Sequence, residues 1–354
     1  MATYDLAKSK ALAEAVAPLN VTPLWLVLGG LITDTPEVPE VPYLWSWKAL
    51  RPWLDEACRQ IRAEEAERRV LTMTNPAHRH LAAVTHYLNA GLQIILPGEI
   101  APTHRHAANA IRLILEGDGA YTVVNGEKTV MRRGDFVTTP IWSWHDHGND
   151  SDRPVVWLDG LDFPFVHTAN AMFKSEYPTA PGGIRRQPVE RDGDDSFYRY
   201  GQGLRPSNSA LTTPLYSPIL NYRYTTARAA LERLSRTDPP DPIEGWRLEY
   251  INPLTGGPVL PTMDAFLQLL PAGFEGQAHR HTHGSVYVAL EGTGQTQAGN
   301  TVLAWEPNDV FVVPSWTPHR HRAATDAVLF SFTDAPIQRP FGLHREERVE
   351  EMLE

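Results

Sequence analysis

The sequence contains a single cysteine, Cys58, among its 354 residues, so no disulfide can form within the chain. It also lacks any apolar run approaching the ~18 residues that a membrane-spanning helix needs. The N-terminal residues do not combine a basic region with an apolar core, so no secretory signal is expected and a cytoplasmic protein is predicted. The formal net charge of -10 argues against nucleic acid and anionic membranes as partners, while a small anion could still bind a locally basic site.

The stretch from 98 to 149 carries three histidines in a pattern that predicts a metal site. His104 and His106 alternate along a predicted strand, so their side chains point to the same face. His145 follows a Pro-x-Trp turn on a later strand. Three such imidazoles meet only if the sheet curls back on itself, as in a small β-barrel with a metal in its mouth. The spacing of glycine, histidine and proline resembles the two signature motifs of the cupin superfamily.

The same pattern returns in the second half of the chain. A shift of 175 residues carries His104 onto His279, and the glutamine of the preceding strand, Gln93, onto Gln268. A repeat of this length indicates duplication of one domain. The sequence therefore predicts an all-β fold with short helices, a bicupin of two tandem cupin barrels (double-stranded β-helix or jelly roll). The duplicated histidines form a possible second metal site, composed of His279, His281 and His319. The alternative is that the second barrel is only a structural and oligomerisation partner.

Composition divides the chain into four predicted segments. Residues 1–47 are rich in proline and tryptophan, which predicts an extended arm that packs on a neighbouring subunit, and a helical pattern follows up to residue 70. Residues 166–245 are polar and rich in proline and glycine, which predicts an interdomain connection. The predicted boundaries are 1–83 for the arm and helices, 84–169 for the N-terminal, catalytic cupin, 170–245 for the linker and 246–354 for the C-terminal cupin and tail.

The three histidines of the first barrel have no acidic partner nearby in sequence. Ala110 and Ile111 stand where many cupins carry a carboxylate ligand. Imidazole suits iron, copper, nickel and zinc, so the ligands alone do not select the metal. Three neutral ligands leave the charge of a divalent ion uncompensated. Such a site favours a ligand that brings negative charge, such as a chelating organic anion, and it leaves coordination positions for dioxygen.

Arg112 interrupts the apolar strand A-I-R-L-I-L and has the parity of the histidines, so it is predicted to face the barrel interior. A buried arginine needs an anionic partner. One hypothesis is that its planar fork binds a substrate carboxylate, and the alternative is a structural ion pair with Glu116 or Asp159. The repeat places Tyr287 at the equivalent position, which favours chemistry in the first barrel.

Three further polar residues are candidates beside this site. His147, two residues after His145, is a candidate acid or base for a phenolic oxygen, with a surface histidine as the alternative. Gln93 has inward parity and either orients a ligand or is a structural amide, as its counterpart Gln268 suggests. Asp159 is a candidate for orienting a metal-bound imidazole, since such rings usually have a hydrogen-bond acceptor.

Longer motifs extend the resemblance beyond the cupin superfamily. The segments A-E-E-A-E-R-R-V-L, A-G-L-Q-I-I-L-P-G-E-I-A-P-T-H-R-H, W-H-D-H-G-N, W-L-D-G-L-D and N-P-L-T-G-G-P-V-L-P-T-M resemble the gentisate 1,2-dioxygenase family, which includes salicylate, 1-hydroxy-2-naphthoate and 5-nitrosalicylate ring-cleaving enzymes. The resemblance covers about residues 20–348. It implies a bicupin oxidoreductase of bacterial aromatic degradation that uses Fe(II) and dioxygen and is usually a homotetramer.

Carried over residue by residue, the resemblance implies a complete site. Arg112 would meet the substrate carboxylate, His147 and Gln93 would contact the substrate oxygens, and Arg68 from the N-terminal helix would close the pocket. Asn89 stands where the family commonly has a bulky aromatic residue, which favours another 5-substituent, such as nitro or halide, over gentisate. The iron ligands implied are His104, His106 and His145.

The predicted activity is therefore cleavage of the ring of a 2-hydroxybenzoate between C1 and C2 by an Fe(II)-dependent dioxygenase. Two other classes stay open at this point: a metal-dependent isomerase or hydrolase that does not use dioxygen, and a structural or binding bicupin. Retention of both histidine sets argues against the binding protein, and an anaerobic control distinguishes the hydrolase.

Overall fold

The structure is a computed structural model, and it describes residues 6–79, 81–179, 183, 185–207, 215–350 and 352. By its internal contacts the chain divides into two compact units, Met1–Pro39 and Glu40–Glu354. The predicted boundaries after residues 83, 169 and 245 do not coincide with this division. They stay a prediction about the extent of the two duplicated domains.

The first unit is helical where the sequence predicted an extended arm. Helix α1 spans Leu6–Val16, a 3-10 turn spans Ala17–Leu19, and α2 spans Leu24–Leu31. Pro23 is the N-cap of α2, a position where proline is tolerated because the first N–H groups of a helix have no acceptor within it. The extended-arm prediction is therefore wrong for these residues, because a proline read as a helix breaker starts a helix instead.

The helices of the second unit are mostly short. They are α3 (Trp47–Gln60), α4 (Ala63–Ala66), α5 (Phe163–Thr168), α6 (Asp195–Tyr200), α7 (Tyr224–Thr237) and α8 (Ala335–Gln338), with 3-10 turns at Pro76–His78 and Arg339–Phe341. Across the described part of the chain, no single helix is long and apolar enough to cross a membrane. Two helical segments joined by a bend, Ala7–Leu19 and Leu24–Leu31, are long and apolar enough when taken together, by length and composition alone.

Four sheets form two barrels in tandem. After β1 (Tyr43–Trp45), the strands of the first barrel are β2 (Val70–Met73), β3 (Asn89–Ile95), β4 (Ile100–His106), β5 (Ala110–Glu116), β6 (Ala120–Val124), β7 (Glu127–Val130), β8 (Phe136–Thr139), β9 (His145–Asn149), β10 (Val155–Leu161), β11 (Lys174–Glu176), β12 (Arg191–Asp192) and β13 (Asn221–Tyr222). The second barrel has β14 (Trp246–Tyr250), β15 (Asp264–Leu270), β16 (His279–His281), β17 (Ser285–Glu291), β18 (Gly294–Ala298), β19 (Thr301–Trp305), β20 (Val310–Val313), β21 (His319–Ala323), β22 (Ala327–Thr333) and β23 (Glu346–Arg348).

Each barrel consists of two facing sheets. The strand orders are β13-β8-β5-β10-β3-β2 and β11-β4-β9-β6-β7-β12 in the first barrel, and β1-β20-β17-β22-β15-β14 and β19-β18-β21-β16-β23 in the second. The segment 170–245, which the sequence predicted as a linker, supplies β11, β12 and β13 to the first barrel. The sequence predicts a connection here because these strands are only two or three residues long and follow no hydrophobic alternation.

The barrels share one apolar core, which explains why their central strands are apolar on both faces. On β5, Leu113 belongs to a cluster that contains Phe330 of the second barrel. Ile114, the next residue, belongs to a separate cluster inside the first barrel with Trp157. Alternation thus sends one face of the strand to the other barrel and the other face, which includes Arg112, to the barrel interior.

The shared core predicts that the two barrels unfold together. Ile94 lies in this core and is 1 % exposed. Ile94→Val removes one methylene and should lower the free energy of unfolding by about 0.5–1.5 kcal/mol in a single calorimetric transition. Val302 on β19 is 57 % exposed, so Val302→Thr is the matched control and should change stability by less than about 0.5 kcal/mol. A second transition untouched by Ile94→Val would show that the barrels unfold independently.

Candidate metal centre

The three histidines of the first barrel converge at its mouth, as the sequence predicted. Strands β4 and β9 pair antiparallel and place His104 directly opposite His145. The ring centroid of His145 lies 4.6 Å from that of His104 and 4.9 Å from that of His106. One nitrogen of each ring lies within 4.8 Å of one nitrogen of each other ring, a separation that suits three ligands of one ion.

A strained turn brings the third histidine into place. Trp142 adopts a φ of 59°, a conformation that costs energy for a bulky side chain. Its backbone N–H donates to the carbonyl of His106 at 2.9 Å, which ties the turn to the strand that carries the other two histidines. The same turn occurs in the second barrel, where Trp316 has a φ of 56° and its N–H donates to the carbonyl of His281.

Hydrogen bonds orient two of the three rings for metal binding. Nδ1 of His106 lies 2.8 Å from the carbonyl of Ala108, and Nδ1 of His145 lies 3.0 Å from the carbonyl of Ser143. A carbonyl only accepts, so each Nδ1 carries the proton and each Nε2 has a free lone pair. Burial lowers the pKa of His106 to about 4 and also lowers the pKa of His104 and of His145. All three rings are therefore neutral at pH 7, the state a metal ligand requires.

Beside the histidines lies a cavity of about 380 Å³. It is lined by Arg68, Val70, Thr72, Asn89, Gln93, His104, His106, Ala110, Arg112, His145, Asp159, Leu161 and Phe163. This lining brings together the predicted ligands and most of the predicted substrate-binding residues. Gln93 and Asn89 reach it from alternate positions of β3, as the predicted inward parity required.

Arg112 faces the cavity and makes contacts that the sequence left open. Its Nε lies 3.2 Å from Oδ1 of Asp159, the residue directly opposite on β10, and its Nη1 donates to Oγ1 of Thr139 at 2.6 Å. The other predicted partner, Glu116, instead accepts from Arg51. The structure thus contains the Arg112–Asp159 pair. A guanidinium has five N–H donors, so these contacts leave donors for a further oxygen.

Asp159 does not contact a metal-site histidine, so its predicted role of orienting an imidazole is not supported. Its Oδ1 accepts from Nε1 of Trp157 at 3.1 Å and faces Arg112. Burial raises the pKa of Asp159 to about 6, although Arg112 opposes the shift. Two backbone carbonyls, which the sequence reasoning missed, orient the imidazoles instead. Asp159 therefore positions Arg112 within the cavity wall.

Arg68 reaches the cavity from a loop, not from the predicted helix. Helix α4 ends at Ala66, and Glu67 follows with a φ of 56°, which turns the chain toward the barrel. Nη1 of Arg68 donates to the carbonyl of Pro102 at 3.1 Å, and Nη2 lies 3.4 Å from Nε2 of His104. Burial and the neighbouring Arg112 lower the pKa of Arg68 to about 10, so it remains charged at pH 7.

His147 is fully buried, so the alternative of a surface histidine is wrong. Its ring centroid lies 5.9 Å from that of His145 and 5.5 Å from that of Trp157. Neither ring nitrogen has a hydrogen-bond partner. Buried polar groups in proteins almost always have partners, so the unpartnered imidazole beside the triad can still accept or donate a hydrogen bond.

The second barrel has a matching triad with different surroundings. A nitrogen of each of His279, His281 and His319 lies within 4.8 Å of the others. The strand register shows which residues of the two barrels are equivalent. Val70 on β2 is the register partner of Gln93 in the first barrel, and Arg247 on β14 is the register partner of Gln268 in the second. The duplicated positions of the cavity wall therefore carry larger side chains, with Arg247 for Val70, Phe266 for Gly91 and Tyr287 for Arg112.

Comparisons with known proteins agree with this description. The protein family described as "Cupin domain" matches residues 91–160 and 266–333, once in each barrel. The chain is 45 % identical over 329 residues to gentisate 1,2 dioxygenase 1 of Aquipseudomonas alcaligenes, which covers 93 % of each chain. It is 36 % identical to the 5-aminosalicylate 1,2-dioxygenase of Comamonas sp., over 95 % of this chain and 89 % of that one. Its fold matches the crystal structure of salicylate 1,2-dioxygenase of Pseudoaminobacter salicylatoxidans with gentisate at a TM-score of 0.90 and 32 % identity, over 99 % of this chain and 96 % of that one.

Proposed function

The chain belongs to the gentisate and salicylate family of ring-cleaving 1,2-dioxygenases, and from that premise we propose that it uses Fe(II) to open the ring of a 2-hydroxybenzoate between C1 and C2. The premise sets aside the hydrolase, isomerase and binding-protein alternatives. The observation that carries the proposal is the position of two arginines, of which Arg112 is paired with Asp159, and three neutral imidazoles around one cavity, which leaves a net positive charge. A cavity of that charge selects an anion.

The residues present fit a divalent ion at His104, His106 and His145. Three ring nitrogens converge, and two rings are held by carbonyls that leave the other nitrogen free. Nitrogen ligands without a carboxylate leave the charge of the ion to be balanced by the substrate. When bound, Fe(II) supplies the electron transfer between an electron-rich ring and dioxygen.

Arg112 holds the substrate carboxylate in this proposal. Its guanidinium is fixed by Asp159 and Thr139 before substrate arrives, so little side-chain entropy is lost on binding. A charge-assisted hydrogen bond of this kind contributes about 1.5–3 kcal/mol. Arg68 adds a second positive charge from the opposite loop and closes the cavity over the ring.

His147 accepts a hydrogen bond from the 2-hydroxyl group. Burial lowers the pKa of His147 well below its usual value, so the ring is neutral and an unpartnered nitrogen is available as acceptor; transfer of the proton itself would require the bound metal to acidify the hydroxyl. Gln93 lines the cavity and orients the substrate oxygen through its amide, whereas His147 adjoins His145 and is not among the lining residues. The two residues place the substrate for chelation without themselves binding the metal.

Asn89 sets the space around the ring substituent. Its Nδ2 donates to the carbonyl of Ala82 at 2.7 Å, which fixes the side chain at the cavity wall. The neighbouring wall is apolar and includes Val70, Leu161 and Phe163. Such a wall accommodates an uncharged 5-substituent such as halide, and the Asn89 amide interacts with a polar one such as nitro.

A substrate panel tests the activity. With salicylate, gentisate, 5-nitrosalicylate and 5-chlorosalicylate, we expect uptake of dioxygen and loss of the aromatic absorbance, and no turnover without dioxygen. The 5-nitro and 5-chloro compounds should be turned over because the wall near Asn89 leaves room for them. Turnover that persists anaerobically would contradict a dioxygenase. Turnover of gentisate alone would contradict the role given to Asn89.

We also propose that the enzyme is a cytoplasmic homotetramer. The support is a set of exposed apolar side chains on and after α2: Leu24, Trp25, Leu31 and Ile32 are each more than half exposed. Apolar residues exposed in such number commonly mark a protein interface. Light scattering after size-exclusion chromatography measures the number of subunits.

A further inference from the structure

A carboxylate lies beside Nε2 of one histidine of the second triad, whereas in the first barrel Oε2 of Glu67 lies 3.9 Å from Nδ1 of His104 and also contacts Lys174. Oε1 of Glu244 lies 3.8 Å from Nε2 of His279. That separation is too long for a hydrogen bond, and Glu244 does not belong to the group of side chains whose ligand atoms all lie within 4.8 Å of one another, so its negative charge lies next to the triad without completing it. Glu244 precedes β14 in the segment that the sequence predicted as linker, so no motif pointed to it.

Two side chains hold the Glu244 carboxylate in one orientation. Oε1 accepts from Nη1 of Arg247 at 2.7 Å, and Oε2 accepts from Nε2 of Gln268 at 2.8 Å. A carboxylate has about four lone-pair sites, so both oxygens keep acceptor capacity. Hydrogen bonds that orient an acidic ligand in this way are typical of metal sites.

The second triad is enclosed by protein. His279, His281 and His319 are 1 %, 4 % and 0 % exposed. Strand β23, from the C-terminal tail, pairs with β16 and covers the strand that carries two of them. Nε2 of His319 is buried and has no hydrogen-bond partner, while its Nδ1 lies 3.1 Å from the carbonyl of Thr317. Nδ1 of His319 therefore carries the proton, and the lone pair on Nε2 is free to bind a metal ion.

We infer that the second barrel holds a permanently bound divalent ion of the zinc type on His279, His281 and His319, with the Glu244 carboxylate as its anionic partner. In the first barrel, the substrate brings the negative charge. In the second barrel, the protein supplies it through Glu244, and the side chains of Arg247 and Phe266 stand where substrate would sit. Enclosure of the triad by protein is typical of structural zinc sites, whereas catalytic sites keep an open position for substrate.

Metal analysis of the full-length protein tests this site. Cells grown with both iron and zinc should yield protein with one iron and one zinc per chain by plasma mass spectrometry. The duplicated histidines give a matched pair of variants: His319→Ala should lose the zinc and keep the iron, and His145→Ala should lose the iron and keep the zinc. Two irons per chain would overturn the identity of the ion, and a single ion per chain would overturn the site.

Glu244→Gln tests the carboxylate in a variant that keeps the shape of the side chain. Removing its charge should weaken zinc retention by about 10–100-fold in a competition with a chelator. Zinc-edge X-ray absorption of the wild type should show three imidazoles in the coordination shell. Retention equal to that of the wild type would overturn the role of Glu244. If His319→Ala does not fold, this variant and the absorption spectrum still decide the proposal.

Discussion

His145→Ala should abolish ring cleavage and remove the iron from the first barrel. His145 supplies one of three converging ring nitrogens, and its Nδ1 is already held by the carbonyl of Ser143, so the binding geometry depends on this ring. A metal ion contributes several kcal/mol to the reactions it assists, which corresponds to a loss of about 10³-fold or more in turnover. Oxygen uptake and iron content measure the two effects.

The duplicated barrel supplies the control for this variant. His319→Ala removes the equivalent ring from the second triad and should leave the iron content of the first barrel unchanged. A His145→Ala protein that keeps its iron and its melting temperature would show that His145 is not a ligand.

Arg112→Ala should raise KM and lower kcat while the iron content stays near that of the wild type. The variant removes the guanidinium that we assign to the substrate carboxylate, a loss of about 1.5–3 kcal/mol, or about 10–200-fold in kcat/KM. Arg112 contacts Thr139 and Asp159 and none of the three histidines by hydrogen bond, so the metal site should persist. Steady-state kinetics and iron analysis together measure the prediction.

The ion pair complicates this variant and also gives the means to separate its two effects. Arg112→Ala leaves the buried Asp159 without its cationic partner, which destabilises the protein. The double variant with Asp159→Asn removes that charge and should recover much of the melting temperature but none of the activity. If the double variant recovers activity, or if iron is lost with Arg112, then Arg112 is structural.

The site was predictable where function depends on short spacing within a strand. Alternation placed His104 and His106 on one face and Arg112 and Gln93 toward the interior, and the 175-residue shift predicted a second triad. Both follow from the two-residue period of a strand and from duplication. The predicted bicupin fold is confirmed because these same periodicities decide it.

Pairing between distant strands was harder to predict. The contact of Arg112 with Asp159 depends on the register of β5 against β10, which are separated by four other strands in the sequence. The sequence left two ion-pair partners open for Arg112, and only the strand register selects Asp159 over Glu116. Glu244 was missed for a similar reason, because its polar, proline-rich surroundings resemble a linker until β14 pairs with β15.

The two barrels carry equivalent histidine triads in different surroundings. Both keep three histidines on equivalent strands, but Val70 and Gly91 leave a cavity in the first barrel, where Arg247 and Phe266 occupy the duplicated positions of the second. We propose that the small side chains of the first barrel admit an organic anion. In the second barrel, the guanidinium of Arg247, which is bound to Glu244, occupies the equivalent space. From this contrast we propose that turnover takes place in the first barrel.

Diffraction at the iron edge tests the central claim most directly. Crystals grown without dioxygen and soaked with a 2-hydroxybenzoate should show an anomalous iron peak bound by His104, His106 and His145, with the substrate carboxylate against Arg112. An absence of iron between these three rings, or a carboxylate turned away from Arg112, would contradict the account.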